Sequence, residues 1–179
     1  IWGVQLKLPR LFLDRAFGST ELANWTLSAM NMGGLLAGLT FGRVHRYLHQ
    51  YTLTLGYAGA ALAVVLLLTT ANTLVAVGSA VFFNFIYSYT GPYLVYRSQL
   101  DLPPAQIDAM SSWLTIATVI SAFFAPPAWN FLGALGPGTV TTNVLLWAAG
   151  LLGLIAVAVT AFFRHQPQPI LERGNSHDH

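Results

Sequence analysis

The chain has 179 residues, 55% of them hydrophobic, with only eight basic and six acidic side chains. That is 8% charged, against about 25% in soluble domains, which excludes an ordinary soluble globule. Zero cysteines remove disulfide frameworks, thiolate metal sites and cysteine nucleophiles, and a net charge of +2 with no basic cluster offers no nucleic-acid surface.

In chain order, the first segment begins at Ile1 without a charged leader region and reads as a cut through a longer protein. Residues 1–13 are apolar but too short to span, and Lys7, Pro9 and Arg10 interrupt them, so they are expected to be the outer end of a helix that begins earlier. A helix needs about 20 mostly apolar residues to cross a bilayer core of about 30 Å. Five runs meet that length, at 22–42, 51–70, 73–96, 108–130 and 142–163. They lack the alternation of barrel strands, and helices are the remaining way to satisfy backbone groups in lipid. The fold class is therefore all-α, a polytopic membrane helical bundle with a membrane domain over 1–163 and a loose, disordered tail over 164–179.

The first run carries Asn24, Ser28, Asn31, Gly34, Gly38 and Gly42 at spacings of three and four, which is one helical face. Its glycines form overlapping G-x-x-x-G units suited to close helix packing. For Asn24 and Asn31, packing and solute contact are both open readings. The second and fifth runs are Ala, Leu, Val and Gly and would be comfortable against lipid. In the third, Asn84, Tyr87, Ser88 and Gly91 share a face opposite Phe82, Tyr89, Tyr93 and Tyr96. An amide at mid-depth needs partners, across a helix seam or in a wet cavity. Gly91 and Pro92 break the helix ladder, as a passive kink or as the bending point of a gate. The fourth run follows Pro103 and Pro104, has Asp108 in its first turn, and presents Ser111, Thr115, Thr118, Ala122 and Ala125 on a small polar face ended by Pro126 and Pro127.

Five crossings place Lys7, Arg10 and Arg15 on one side and Arg43, Arg46, Arg97, Arg164 and Arg173 on the other. Cations near span ends favour the cytoplasm, so the C-terminus is expected to be cytoplasmic. No Asp, Glu, His, Lys or Arg lies mid-span, and no nucleophile and base can be paired, so neither an enzyme, a cofactor site nor a metal site is expected. The tail's His177, Asp178 and His179 fit a loose terminus better than a metal site.

One pattern has a familiar shape. Leu8, Pro9 and Arg10, the stretch 17–20, and the run from Met32 through Gly33, Gly34, Gly38 and Gly42 to Arg43 and Arg46 resemble the eighth helix of a major facilitator superfamily transporter and the cytoplasmic loop after it. The family repeats there a degenerate Gly-x-x-x-Asp-Arg-x-Gly-Arg-Arg motif; Gly42, Arg43 and Arg46 remain, the acidic position is missing, and Gln50 stands where a basic residue is common. Residues 89–93 resemble the tenth helix, and 102–105 leading into 111–114 the entry to the eleventh. The resemblance covers nearly the whole chain. It implies the C-terminal six-helix half of a twelve-helix fold, its first helix truncated and an N-terminal half of the same chain missing.

It further implies that helices nine and twelve lie outside, helix ten lines a cavity, and eight and eleven flank it. On that footing Asn84, Tyr87, Ser88, Gly91, Asn24, Ser28, Asn31, Thr115 and Thr118 are expected to bind a small solute. Gly91 and Pro92 would gate, and Gly34, Gly38 and Gly42 would pack against the missing half. The implied function is secondary-active transport by alternating access in the plasma (inner) membrane, drug or metabolite efflux above all, with any coupling proton carried by the missing half. The rival expectation is a five-helix membrane scaffold or assembly subunit whose polar stripes are all helix seams.

Overall fold

The computed structural model describes residues 2–165, and among them every regular element is a helix. The short first helix, α1 (Trp2–Asp14), sends Val4, Leu8, Leu11 and Phe12 into the core at three-to-four spacing, each no more than 1% exposed. It is thus a core element, lodged against α2, α6 and α7. Its end is closed by Phe17, whose N–H donates to the Phe12 carbonyl at 2.9 Å.

Ser19 caps α2 (Thr20–Leu48), its hydroxyl oxygen accepting from Leu22 N at 3.3 Å, and Glu21 complements the dipole in the first turn. With no glycine or proline between 43 and 48, the helix does not stop where the apolar run stops. Arg43 and Arg46, expected in a loop, lie in its last turns. The turn to α3 is left to His49 and Gln50, with His49 at φ 46°, a costly conformation for a residue other than glycine.

α3 (Tyr51–Thr69) buries Gly56, Ala60, Ala63, Val64 and Leu67 and packs between α4 and α7. This helix, expected to be comfortable against lipid, is nonetheless the most enclosed of the candidate spans together with the α4–α5 span. Small residues explain it. A Cβ on Gly56 would sit 2.7 Å from Thr90 Cγ2, and one on Gly59 2.7 Å from Ile86 Cγ1, so bare backbone is what allows the approach.

Asn72 caps α4 (Thr73–Tyr87), accepting from Leu74 N at 2.9 Å, and α5 (Thr90–Asp101) continues in nearly the same path. The interruption falls at Ser88 and Tyr89, upstream of the expected Gly91 and Pro92. Proline strips the N–H that would meet the carbonyl one turn earlier and crowds that carbonyl, which belongs to Ser88, so the break appears there. α6 (Pro104–Ala134) starts at a proline and runs through Pro126 and Pro127, as the expected span of 108–130 does, and four residues beyond it. Among the residues of this helix whose burial is described, only Gly133 is buried. Asn143, 4% exposed, clamps the turn into α7 (Val140–His165), donating to the carbonyls of Gly133 (2.8 Å) and Gly138 (3.2 Å). Of the tail expected over 164–179, Arg164 and His165 continue α7, and the rest, including Arg173, His177, Asp178 and His179, lies outside the described residues.

Four segments are long and apolar enough to cross a membrane: Tyr51–Thr69, Thr73–Asp101, Ala105–Ala134 and Val140–Arg164. The fifth expected span, 22–42, is held in α2, whose 29 residues reach about 43 Å at 1.5 Å per residue. Its amides and glycines keep it below the hydropathy of the other four. Several long apolar helices mark a membrane-embedded, all-helical bundle. Side-chain contacts sort its ends: Thr73 donates to the Phe17 carbonyl and Lys7 to Asn130 at one, while His45 meets Thr52 and Tyr93 meets Phe163 at the other. Lys7, Arg10 and Arg15 therefore cluster apart from Arg43, Arg46, Arg97 and Arg164.

Candidate functional site

An open cleft of about 790 Å³ lies beside the interruption between α4 and α5. It is lined by Tyr87, Ser88, Thr90, Gly91 and Leu94 of the α4–α5 span, by Thr118, Ser121, Phe124 and Trp129 of α6, and by Tyr57, Leu151 and Trp2. No ionisable carboxylate, amine, guanidinium or imidazole lines it. The volume is that of a site for one small organic molecule.

The hydroxyls divide into donors and acceptors. Thr118 gives its proton to the Leu114 carbonyl at 2.8 Å, Ser121 to the Thr118 carbonyl at 2.8 Å, and Thr90 to the Tyr87 carbonyl at 2.8 Å. Their oxygens keep lone pairs and can only accept. Among the described residues Tyr57 and Ser88 make no side-chain hydrogen bond and Tyr87 has only the Thr90 hydroxyl as a neighbour, so these O–H groups are the donors the cleft can offer. Tyr87 is held by rings on two sides, stacked on Phe83 at 6.0 Å and edge-on to Tyr57 at 6.0 Å, which fixes where its hydroxyl points. Trp129 lies against Gly3, where a Cβ would come within 2.6 Å of the indole.

Of the residues expected to touch solute, Tyr87, Ser88, Gly91 and Thr118 line this cleft. Asn84 does not. It is 4% exposed, its amide donates to the Met30 carbonyl at 2.5 Å, and its Oδ1 is buried without a partner. That puts it in the α2–α4 seam. Gly34 makes room for it there, since a Cβ would lie 3.1 Å from both Asn84 Nδ2 and Ser88 Oγ. Asn24, Ser28 and Asn31 are exposed along α2, away from the cleft, and Thr115 is exposed on α6 with its hydroxyl donated to Ser111.

The glycines expected to pack against a missing half divide into two groups. Gly34 packs within the chain, as does the unexpected Gly33, whose Cβ would meet the Val81 carbonyl at 3.2 Å; Gly38 and Gly42 face nothing within 4 Å. Sequence reasoning missed Tyr57, Thr90, Ser121, Trp2 and Trp129 as cleft residues. Ser121 and Thr90 lie one turn from Thr118 and Tyr87 and could have been reached by extending those faces, whereas Tyr57 sits in an apolar helix with no such signal.

Among the described residues no group of three or more His, Asp or Glu is placed to hold a metal ion. No protein-family model, curated protein or solved structure matches the chain.

Proposed function

We propose that the chain is the C-terminal half of an alternating-access transporter of the major facilitator kind, moving a neutral, amphipathic small solute. The observation that carries this reading is the uncharged cleft, with three hydroxyl donors and an aromatic frame, set against the interrupted α4–α5 span. A solute with carbonyl or hydroxyl groups on an aromatic or aliphatic body would satisfy Tyr57, Tyr87 and Ser88 while covering Phe124 and Trp129. The interruption supplies a place for one wall to bend without breaking the others. The open face of α2, with Asn24, Ser28, Asn31, Gly38 and Gly42, suits contact with a second half of the same chain.

With no carboxylate, imidazole, amine or guanidinium lining the cleft among the described residues, a coupling proton would be carried by that second half. The reading places the protein in the plasma (inner) membrane with its C-terminus cytoplasmic, and efflux of a drug or metabolite as its direction. The rival reading, a membrane scaffold without transport, is favoured by Asn84, whose burial in a helix seam is what an assembly subunit would use a polar residue for.

Transport by the full-length protein in proteoliposomes separates the two. Chloramphenicol, a neutral aromatic diol, should be carried in preference to glucose, and Tyr87→Phe should raise its KM about two- to tenfold, the range for one lost hydrogen-bond donor. Folded protein that carries neither probe would favour the scaffold. Chloramphenicol transport that Tyr87→Phe leaves unaltered would remove the cleft as the site.

A further inference from the structure

A second pocket, of about 520 Å³, lies at the opposite end of the bundle from Lys7, where α2 ends, α3 begins and α5 ends. Its lining includes His45, His49, Tyr93, Tyr96 and Arg97, with Leu48 and Leu100 at the apolar edge. Two of the three helices that meet there end spans long enough to cross a membrane, so the pocket lies at the depth of lipid headgroups. Among the described residues no carboxylate lines it, and Asp101 stands at its edge, paired with Arg97.

The charge in the pocket can be counted. Thr52 donates its only hydroxyl proton to the His49 carbonyl at 2.8 Å, so the 3.2 Å contact with His45 Nδ1 must run from the ring N–H to the Thr52 oxygen. His45 is stacked on Phe41 at 5.4 Å and meets Tyr96 edge-on at 4.8 Å. Burial, and secondarily the neighbouring His49, holds its pKa below the usual imidazole range, so the ring is neutral at pH 7. The groups facing it are His49 and Arg46 on α2, Tyr51 on α3, and Tyr93, Tyr96, Arg97 and Asp101 on α5. Arg97 is then the fixed cation of the lining, its charge partly offset by the Asp101 carboxylate paired with it. Asp101 takes its Nε at 2.6 Å, and among the described residues its terminal nitrogens have no partner. Arg43 and Arg46, in the last turns of α2, add to the field at this end.

We infer that this pocket binds the phosphate of a singly charged phospholipid headgroup, anchored by the free terminal nitrogens of Arg97. Tyrosine hydroxyls are at hand for the headgroup, and Leu48 and Leu100 border the pocket on the way to the acyl chains. A single fixed cation matches a phosphodiester better than a polyphosphate. The apolar edge favours a lipid over a free anion. This site does not depend on transport, and either can fail alone.

The test is lipid retention by the full chain in nanodiscs, read by native mass spectrometry with phosphatidylglycerol against phosphatidylcholine. Wild type should retain phosphatidylglycerol preferentially. Arg97→Gln should lower that preference about fivefold, the worth of one interfacial arginine. Asp101→Asn, which releases Nε from its carboxylate, should raise it. Both side chains are about half-exposed and both changes break the same ion pair, so a purely structural effect would move the two variants the same way. Equal retention of the two lipids by wild type, or parallel shifts in the two variants, would overturn the proposal. So would displacement of the lipid by millimolar inorganic phosphate, which would make a free anion the ligand.

Discussion

Asn84 shows how one amide can serve either of two purposes at mid-membrane. Its Nδ2 reaches the Met30 carbonyl across the α2–α4 seam, and Gly34 leaves the space it needs. The Met30 carbonyl is also within reach of its own helix N–H, so losing the amide does not strand it. Hydrogen bonds between membrane helices are worth about 0.6 kcal/mol on average and about 1.7 at most, because the alternative state finds partners too. Asn84→Ala should therefore lower stability by about 1 kcal/mol on that scale, read as a shifted unfolding midpoint in detergent. Solute affinity per folded molecule should not change, since the side chain does not line the cleft. A normal unfolding midpoint with weakened solute binding would return Asn84 to the site. Tyr87→Phe is the opposite case, with altered binding and little change in stability.

At the scale of the element, the interrupted span carries the mechanical argument. Pro92 leaves the Ser88 carbonyl without its helical donor, Tyr89 N turns instead to the Ile86 carbonyl at 3.4 Å, and Thr90 caps the Tyr87 carbonyl. Pro92→Ala restores one N–H and removes the ring clash, a change worth up to about 3 kcal/mol in a helix interior. Amide exchange over 88–93 should slow by at least tenfold, and transport should slow with solute affinity retained. Exchange left as fast as in wild type would mean that packing of Thr90 on Gly56, rather than the proline, holds the break open.

The helices themselves were legible because long apolar runs leave few alternatives, and the break was legible to within four residues because proline acts at a fixed offset. Rotation about each helix axis was not. In α3, Ala60 and Ala63 would look the same in sequence facing lipid or facing α4. The cleft was half legible: the faces holding Tyr87, Ser88, Gly91 and Thr118 announced themselves by polarity, but Tyr57 arrives from a helix whose sequence says only that it is apolar. Gly33 and Gly38 differ only in what lies across from them, which no spacing rule contains.

For the whole molecule, the contacts at each end divide the cations into two groups, and the chain offers an unusually clean way to ask which side each group occupies. These 179 residues hold no cysteine, so a cysteine introduced here is the only thiol among them, and any in a second half is removed first. Gln50 and Gln99 belong to the end with Arg43, Arg46, Arg97 and Arg164; Ala71 and Leu135 belong to the end with Lys7, Arg10 and Arg15, and the two turns there carry no Lys or Arg. The surplus of cations in short connections marks the cytoplasmic face. In intact cells, a membrane-impermeant maleimide should label Ala71→Cys and Leu135→Cys and spare Gln50→Cys and Gln99→Cys until the membrane is opened. The reverse pattern would keep the bundle and invert it, moving the headgroup pocket to the outer leaflet. Labelling of Gln50→Cys and Ala71→Cys from the same side would mean that α3, the most enclosed helix together with α4–α5, does not cross, and the membrane reading of the bundle would fall with it.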